Sequence, residues 1–135
     1  MLRAVRLILL FLLVIGSACT LLFPLKDEFE RNSKGYNEML RWQEFEKAVA
    51  YVDPARRADY RKRIEVVGDI KVVDYRIKNV AYDPEKRTAE VRLELDYYLM
   101  PSTTVKTVVD MQKWRYVEDA DQKGWRLETL LPEFK

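Results

Sequence analysis

The stretch that most limits how this chain can fold is Ala89–Leu99. Ala89, Val91, Leu93, Leu95, Tyr97 and Leu99 alternate strictly with Glu90, Arg92, Glu94, Asp96 and Tyr98. A period of two, apolar on one side and polar on the other, predicts a strand with one buried face in an antiparallel sheet. The neighbouring segments extend that sheet. Ile70–Tyr82 is rich in Val, Ile and Tyr, with Val73, Tyr75 and Ile77 alternating against Asp74, Arg76 and Lys78. Asp83-Pro84-Glu85-Lys86 supplies the turn between the two. Pro101-Ser102 turns the chain again, and Val105, Thr107, Val109 and Met111 continue the alternation. Trp114 and Tyr116 then fall on the opposite parity, which implies either a bulge near Asp110–Lys113 or cover on both faces. Asp119–Gly124 reads as the last turn. Trp125, Leu127, Thr129 and Leu131 form a final strand, ended by Pro132.

Ahead of the strands the period is helical. Met39, Trp42, Phe45, Val49 and Val52 recur every three or four residues, which predicts an amphipathic helix from Tyr36 to about Val52. Asp53 as N-cap and Pro54 as the first helical residue start a second helix over 54–66, with Gly68 as its stop. Lys26–Lys34, KDEFERNSK, has no regular apolar pattern and reads as a charged tether. Helices first and strands after argue for an α+β fold, two helices packed on a four-stranded antiparallel meander. Trp42 and Phe45 would meet the sheet, and Trp114 and Trp125 would pack on each other or on the helix.

The chain opens with MLRAVRLILLFLLVIGSAC: Arg3 and Arg6, an apolar run over Leu7–Ile15, and three small residues before the only cysteine. This is the layout of a secretory signal peptide. With Cys19 placed to begin the mature chain, it resembles the lipobox of bacterial lipoproteins. The resemblance implies diacylglycerol on Cys19, export, and a domain facing the periplasm. Thr20 after the cysteine implies transfer to the outer membrane. Two alternatives stay open. Leu7–Phe23 is long enough for one uncleaved membrane span with its basic end inside, and an ordinary cleaved signal would leave Cys19 incidental. The lipoprotein reading divides the chain into a signal peptide (1–18), a lipid-anchored tether (19–35) and an α+β domain (36–135). Of 135 residues, removing 18 leaves 117, enough for one domain without disulfides. Removing Arg3 and Arg6 from 24 basic residues leaves 22 against 22 acidic ones. That balance argues against nucleic acid as a partner.

The region from Tyr36 to Phe134 also resembles the cystatin-like and NTF2-like folds. The likeness rests on element order, on Trp42-Gln43-Glu44-Phe45-Glu46-Lys47-Ala48 before Val52-Asp53-Pro54, and on the Trp114-Arg115-Tyr116 and Trp125-Arg126-Leu127 pair. Leu22-Phe23-Pro24 and the run from Tyr97 through Met100-Pro101 to Lys106 are similar to small uncharacterised proteobacterial lipoproteins. Neither resemblance carries over a catalytic residue, because fold does not imply function.

Chemistry is thinly represented. Histidine is absent, which removes the commonest general base and metal ligand. No Gly-rich phosphate loop can be built from four glycines. Ser102 with Lys106 is a conceivable dyad without diagnostic spacing. Glu90, Glu94 and Asp96 share a strand face, either as a metal-type row or as a solvated face neutralised by Arg92. Five basic residues in Arg56–Arg63 form either an anion-binding patch or a solvated helix face. The NTF2-like resemblance implies an isomerase-like Asp and Tyr pair, for which Asp110, Tyr75 and Tyr97 are the residues available, although parity points Asp110 to solvent. A non-catalytic interaction module needs less. Tyr98, Leu99, Met100 and Pro101 form a candidate contact turn, or else Leu99 and Met100 close the core. Trp42, Phe45, Tyr75 and Tyr97 are candidate lining residues of a small-ligand pocket between helix and sheet. The expectation is an envelope protein with a membrane anchor, an envelope protein or small ligand as partner, and no cofactor, metal or catalysis.

Overall fold

The computed structural model describes residues 22–119 and 121–135. The expected signal peptide, Cys19 and Thr20 lie outside them. The fold is α+β: the described residues form three α-helices and an open four-stranded antiparallel sheet in the order β1-β2-β3-β4. Helix α1 spans Leu22–Arg41, α2 spans Phe45–Ala48 and α3 spans Arg57–Val67. The strands are β1 (Ile70–Asp83), β2 (Thr88–Leu99), β3 (Lys106–Val117) and β4 (Gly124–Leu127).

Lys26–Lys34 is not a tether but the middle of α1. Its inward stripe is Phe29, Ser33, Tyr36, Asn37 and Leu40, a helical spacing in which two of five buried residues are polar. Nor does the helix run on to Val52. After Arg41 the Gln43 N–H donates to the Leu40 carbonyl (3.0 Å) and the Glu44 N–H to the Met39 carbonyl (2.8 Å). With Gln43 at φ 57°, this is a Schellman C-cap built on a residue other than glycine. The Gln43 side chain holds the conformation by donating Nε2–H to the Val72 carbonyl at 2.8 Å. The turn throws Trp42 outward, 64% exposed, with the Arg41 guanidinium 5.6 Å from its ring centre. Phe45 is buried as expected.

Asp53 accepts a hydrogen bond from the Ala55 N–H (2.9 Å), Pro54 opens a 3-10 turn that leads into α3, and Gly68 at φ 61° ends it. The chain then makes three consecutive antiparallel pairings. β1 carries register shifts at Val72/Asp74 and Ile77/Asn79. Each adds one residue, so Val72, Tyr75, Ile77, Val80 and Tyr82 all share a face with the buried β2 residues opposite them. β2 follows its sequence pattern: Ala89, Val91, Leu93, Leu95 and Tyr97 are buried. β3 does not. Its pairing with β2 is continuous, so there is no bulge near Asp110–Lys113, and with Val109 and Met111 exposed the second face is not covered either. Val108, Asp110, Gln112, Trp114 and Tyr116 alternate with exposed Val109, Met111, Lys113 and Arg115, so the parity is set by Trp114 rather than by the valines. β4 stops at Leu127, and Thr129 and Leu131 follow in an irregular tail. That tail is tied down by the Glu128 N–H donating to the Lys113 carbonyl (2.8 Å) and by burial of Leu131.

Helix α1 crosses the inner face of this sheet. Phe29 meets Trp125 at 5.2 Å and Trp114 at 6.1 Å between ring centres, and Tyr36 meets Trp114 edge-on at 5.7 Å. The tryptophans pack against the helix, through Phe29 and Tyr36 rather than Trp42. Among the described residues no helix is long and apolar enough to cross a membrane.

Candidate functional site

Two features stand out on the inner face, one sealed and one open. The sealed one is polar. Asp110 is 3% exposed and accepts a hydrogen bond from Gln112 Nε2 at 2.8 Å. The same amide nitrogen donates to Asn37 Oδ1 of α1 at 2.8 Å, and Gln112 Oε1 accepts from the Trp114 indole N–H at 3.3 Å. Nearby, the Tyr36 and Tyr60 hydroxyls share a hydrogen bond of 2.9 Å that joins α1 to α3. Burial pushes the Asp110 carboxyl up to about 6, the Gln112 hydrogen bond opposing. Burial also raises both tyrosines, with the Asp110 charge adding to it. Asn37 Nδ2 is buried without a partner among the described residues.

The open feature is a groove of about 390 Å³ between α1 and the edge strand β1. Phe29 and Ser33 form its helical wall, with Lys26, Glu30 and Lys34 exposed along it at four-residue spacing. Tyr75, Ile77, Val80 and Tyr82 form the strand wall, and Ile77 and Val80 are 50% and 46% exposed. By register they face the core side of the sheet, yet they stay half exposed, so apolar surface is open between β1 and α1. Among the described residues Lys26, Glu30 and Lys34 form no ion pair. A second recess of about 570 Å³ separates α3 from the C-terminal tail. Its charges are spent on each other: Arg63 with Glu133 (2.9 Å), Lys62 with Asp59 (3.7 Å) and Lys135 with Glu133 (3.7 Å).

The residues singled out from sequence are dispersed. Of the expected pocket-lining set only Tyr75 lines the groove, and its hydroxyl donates to Glu38 Oε1 at 3.0 Å. Trp42 is on the outside, Phe45 is in the core, and Tyr97 is buried against Phe134 with its hydroxyl donating to the Lys135 main-chain oxygen at 2.6 Å. Asp110 is buried, not turned to solvent, and neither recess reaches it. Ser102 and Lys106 are engaged separately, by the Thr104 N–H (3.2 Å) and the Lys135 main-chain oxygen (3.0 Å). The row of Glu94 and Asp96 is neutralised from β1 by Arg76 rather than by Arg92. Arg76 Nη2 lies 3.1 Å from Glu94 and 3.0 Å from Asp96, and with Thr107 Oγ1 it holds the Asp96 carboxyl down at about 2. Arg61 lies 3.6 Å from Glu46, Arg63 pairs with Glu133, and Arg57 Nε donates to the Val52 carbonyl, which leaves a largely balanced helix face. Leu99, Met100 and Pro101 are exposed around a cis Met100–Pro101 bond, with Tyr98 half-buried.

The groove residues on α1 escaped the sequence reading because Phe29 is the only large apolar residue in KDEFERNSK. The available signal was the spacing Phe29, Tyr36, Leu40, with small Ser33 filling the turn between. Compared with known proteins, the chain matches no family model, no curated protein and no solved structure.

Proposed function

We propose that this chain is an exported, lipid-anchored envelope protein that works as a non-catalytic binding or accessory module, with a domain of cystatin/NTF2-like type. The anchor is diacylglycerol on Cys19, the domain faces the periplasm, and Thr20 favours the outer membrane. The observation that carries the module reading is a contrast within one face: the acid and amide cluster around Asp110 is enclosed, while the apolar α1–β1 groove is open. Chemistry needs the first to be reachable; binding needs only the second. Concave apolar surface edged by free charges is the usual form of a small-ligand or partner site.

One observation favours a second reading, an NTF2-like acid/base site. A buried carboxyl raised to about 6 beside two tyrosines has the tuning that proton transfer at neutral pH requires. Tyr75 and Tyr97, the hydroxyls expected to share that role, are hydrogen-bonded elsewhere.

Metabolic labelling with an alkynyl fatty acid tests the anchor. On a denaturing gel the native chain carries the label, and the Cys19→Ser chain carries none. An unlabelled native chain that stays in the membrane at full length would replace the lipid anchor with a single N-terminal span.

A further inference from the structure

One stretch of β3 has a strand partner on one side only. Its pairing with β2 covers Lys106–Arg115 without a break, while β4 pairs only with Trp114–Val117 on the other side. Two hydrogen bonds fix which way each main-chain group of β3 points. The Tyr116 N–H donates to the Arg87 carbonyl beside β2 (3.0 Å), and the Lys113 carbonyl accepts from the Glu128 N–H beside β4 (2.8 Å). Antiparallel strands alternate, so even-numbered residues of β3 bond toward β2 and odd-numbered ones toward β4 and the tail. Thr107, Val109 and Met111 therefore aim their N–H and C=O groups at the edge that β4 leaves. Among the described residues no main-chain bond from the tail reaches them.

The tail is in position to fill this edge and does not. Continuing the β4 register would set Leu130 opposite Met111, Pro132 opposite Val109 and Lys135 opposite Lys106. The last two do meet, as Lys106 Nζ donates to the Lys135 main-chain oxygen at 3.0 Å. Between Glu128 and Lys135 the ladder is missing, and the Lys113 N–H turns to the Thr129 hydroxyl (3.4 Å) instead of a main-chain acceptor. The cause lies in the sequence. Even-numbered residues of β4 and its continuation face β3, and the Leu127 carbonyl, accepting from the Asp53 N–H on the opposite side (2.8 Å), keeps that phase. Pro132 thus stands opposite Val109 where an N–H is needed, and it has none. The tail is drawn onto the inner face instead, where Leu131 is buried and Phe134 meets Tyr97 edge-on at 4.9 Å.

Donors and acceptors repeating every second residue, about 7 Å apart, are the complement of another extended main chain. A helix does not answer them, because its own groups are bonded internally. Val109 and Met111, 43% and 52% exposed on the outer face, flank the same edge and give an added strand apolar side chains to pack on. The free edge of β1 is a poorer template, since its two register shifts break the repeat. We propose that the edge of β3 over Thr107–Met111 takes an added strand from a partner protein, an extended segment with apolar side chains beside Val109 and Met111, and that Pro132 keeps the chain's own tail from occupying it. This goes beyond the binding-module reading: it names a second surface, across the sheet from β1, and depends on neither the α1–β1 groove nor the anchor.

The test uses the full-length chain in mild detergent and, as probe, an end-blocked synthetic peptide of residues 124–135 carrying Pro132→Val. Amide hydrogen exchange resolved residue by residue is the readout. In the free chain the amides of Thr107, Val109 and Met111 should exchange at least tenfold faster than those of Val108, Asp110 and Gln112. Saturating peptide should slow Val109 and Met111 at least tenfold and leave β1 unchanged. Methylating the peptide's main-chain nitrogen at Leu130, which faces β3 in this register, should abolish that protection, while methylation at Leu131 should spare it. Pro132→Val in the chain itself should protect the same amides without peptide and weaken peptide binding at least tenfold. Odd and even amides that exchange alike in the free chain, no protection by the peptide, or equal protection by the two methylated peptides would overturn the assignment. Protection that appears without peptide and rises with protein concentration would put a second copy on the edge and overturn it too. The methylated pair decides the matter on the native chain, whatever the fold of the P132V variant.

Discussion

Asp110 and Gln112 take the two central inward positions of β3, opposite Leu93 and Val91, where apolar residues would bury surface at no polar cost. The amide of Gln112 partly compensates by bonding Asp110 and Asn37 at once, which ties β3 to α1. The remaining penalty falls on the ionised carboxylate. Its folded-state value of about 6 is raised above the ordinary 3.8, so Asp110 contributes stability that is fully present below about pH 4 and lost as the pH rises through 6. A shift of about two units corresponds to about 3 kcal/mol. Asp110→Asn removes the charge and keeps an acceptor for Gln112. At pH 7.5 the variant should be more stable by about 1–3 kcal/mol, the lower end allowing for the extra N–H it buries. Urea denaturation of both chains in mild detergent from pH 4.5 to 7.5 reads this directly: the gap should widen with pH. Parallel profiles would mean that Asp110 does not titrate where burial places it.

At the scale of elements, α1 is organised by what lies beneath it rather than by its own sequence. Gly35 is the clearest case. A Cβ there would overlap the Tyr51 hydroxyl, so the 3-10 turn after α2 packs on α1 against the bare backbone of residue 35, and a side chain there would push Tyr51 aside. Gly35→Ala gains about 1 kcal/mol of helix propensity and meets an overpacking cost of about 1–3 kcal/mol. The net expectation is a loss of about 1 kcal/mol, reversing to a gain in a Tyr51→Ala background, and thermal unfolding of the four chains of that cycle measures the sign change. An equal effect of Gly35→Ala in both backgrounds would show that Tyr51 is not what glycine accommodates. The same dependence on context governs which elements were readable from sequence. β2 was, because its buried and polar positions alternate from Ala89 to Tyr97, and only Leu99 at its end departs by being exposed. So were Asp53-Pro54 and Gly68, whose capping chemistry is local. β3 misled, because Val109 and Met111 are exposed while Asp110 and Gln112 are buried, reversing the usual correspondence of polarity and face. The tether misled for the same reason, as Ser33 and Asn37 occupy the core stripe of α1. The groove was hidden behind both this and the bulges of β1, which place Ile77 and Val80 on one face at a spacing that alternation alone would split.

At the scale of the whole molecule, the α+β order of helices before strands was legible, and the sheet is the simple meander that short turns predict. What the order could not convey is how far α1 extends and which side of the sheet it leaves uncovered. The described part of α1 packs on Trp125 and Trp114 through Phe29, while Ile77 and Val80 on the edge strand β1 stay half exposed. The proposed lipid anchor at Cys19 is tested most directly by the intact mass of the protein extracted from its own membranes. The predicted result is the mass of residues 19–135 plus a diacylglyceryl group, with or without one further acyl chain. The unmodified mass of all 135 residues would contradict it, and would make the N-terminal segment an uncleaved membrane span.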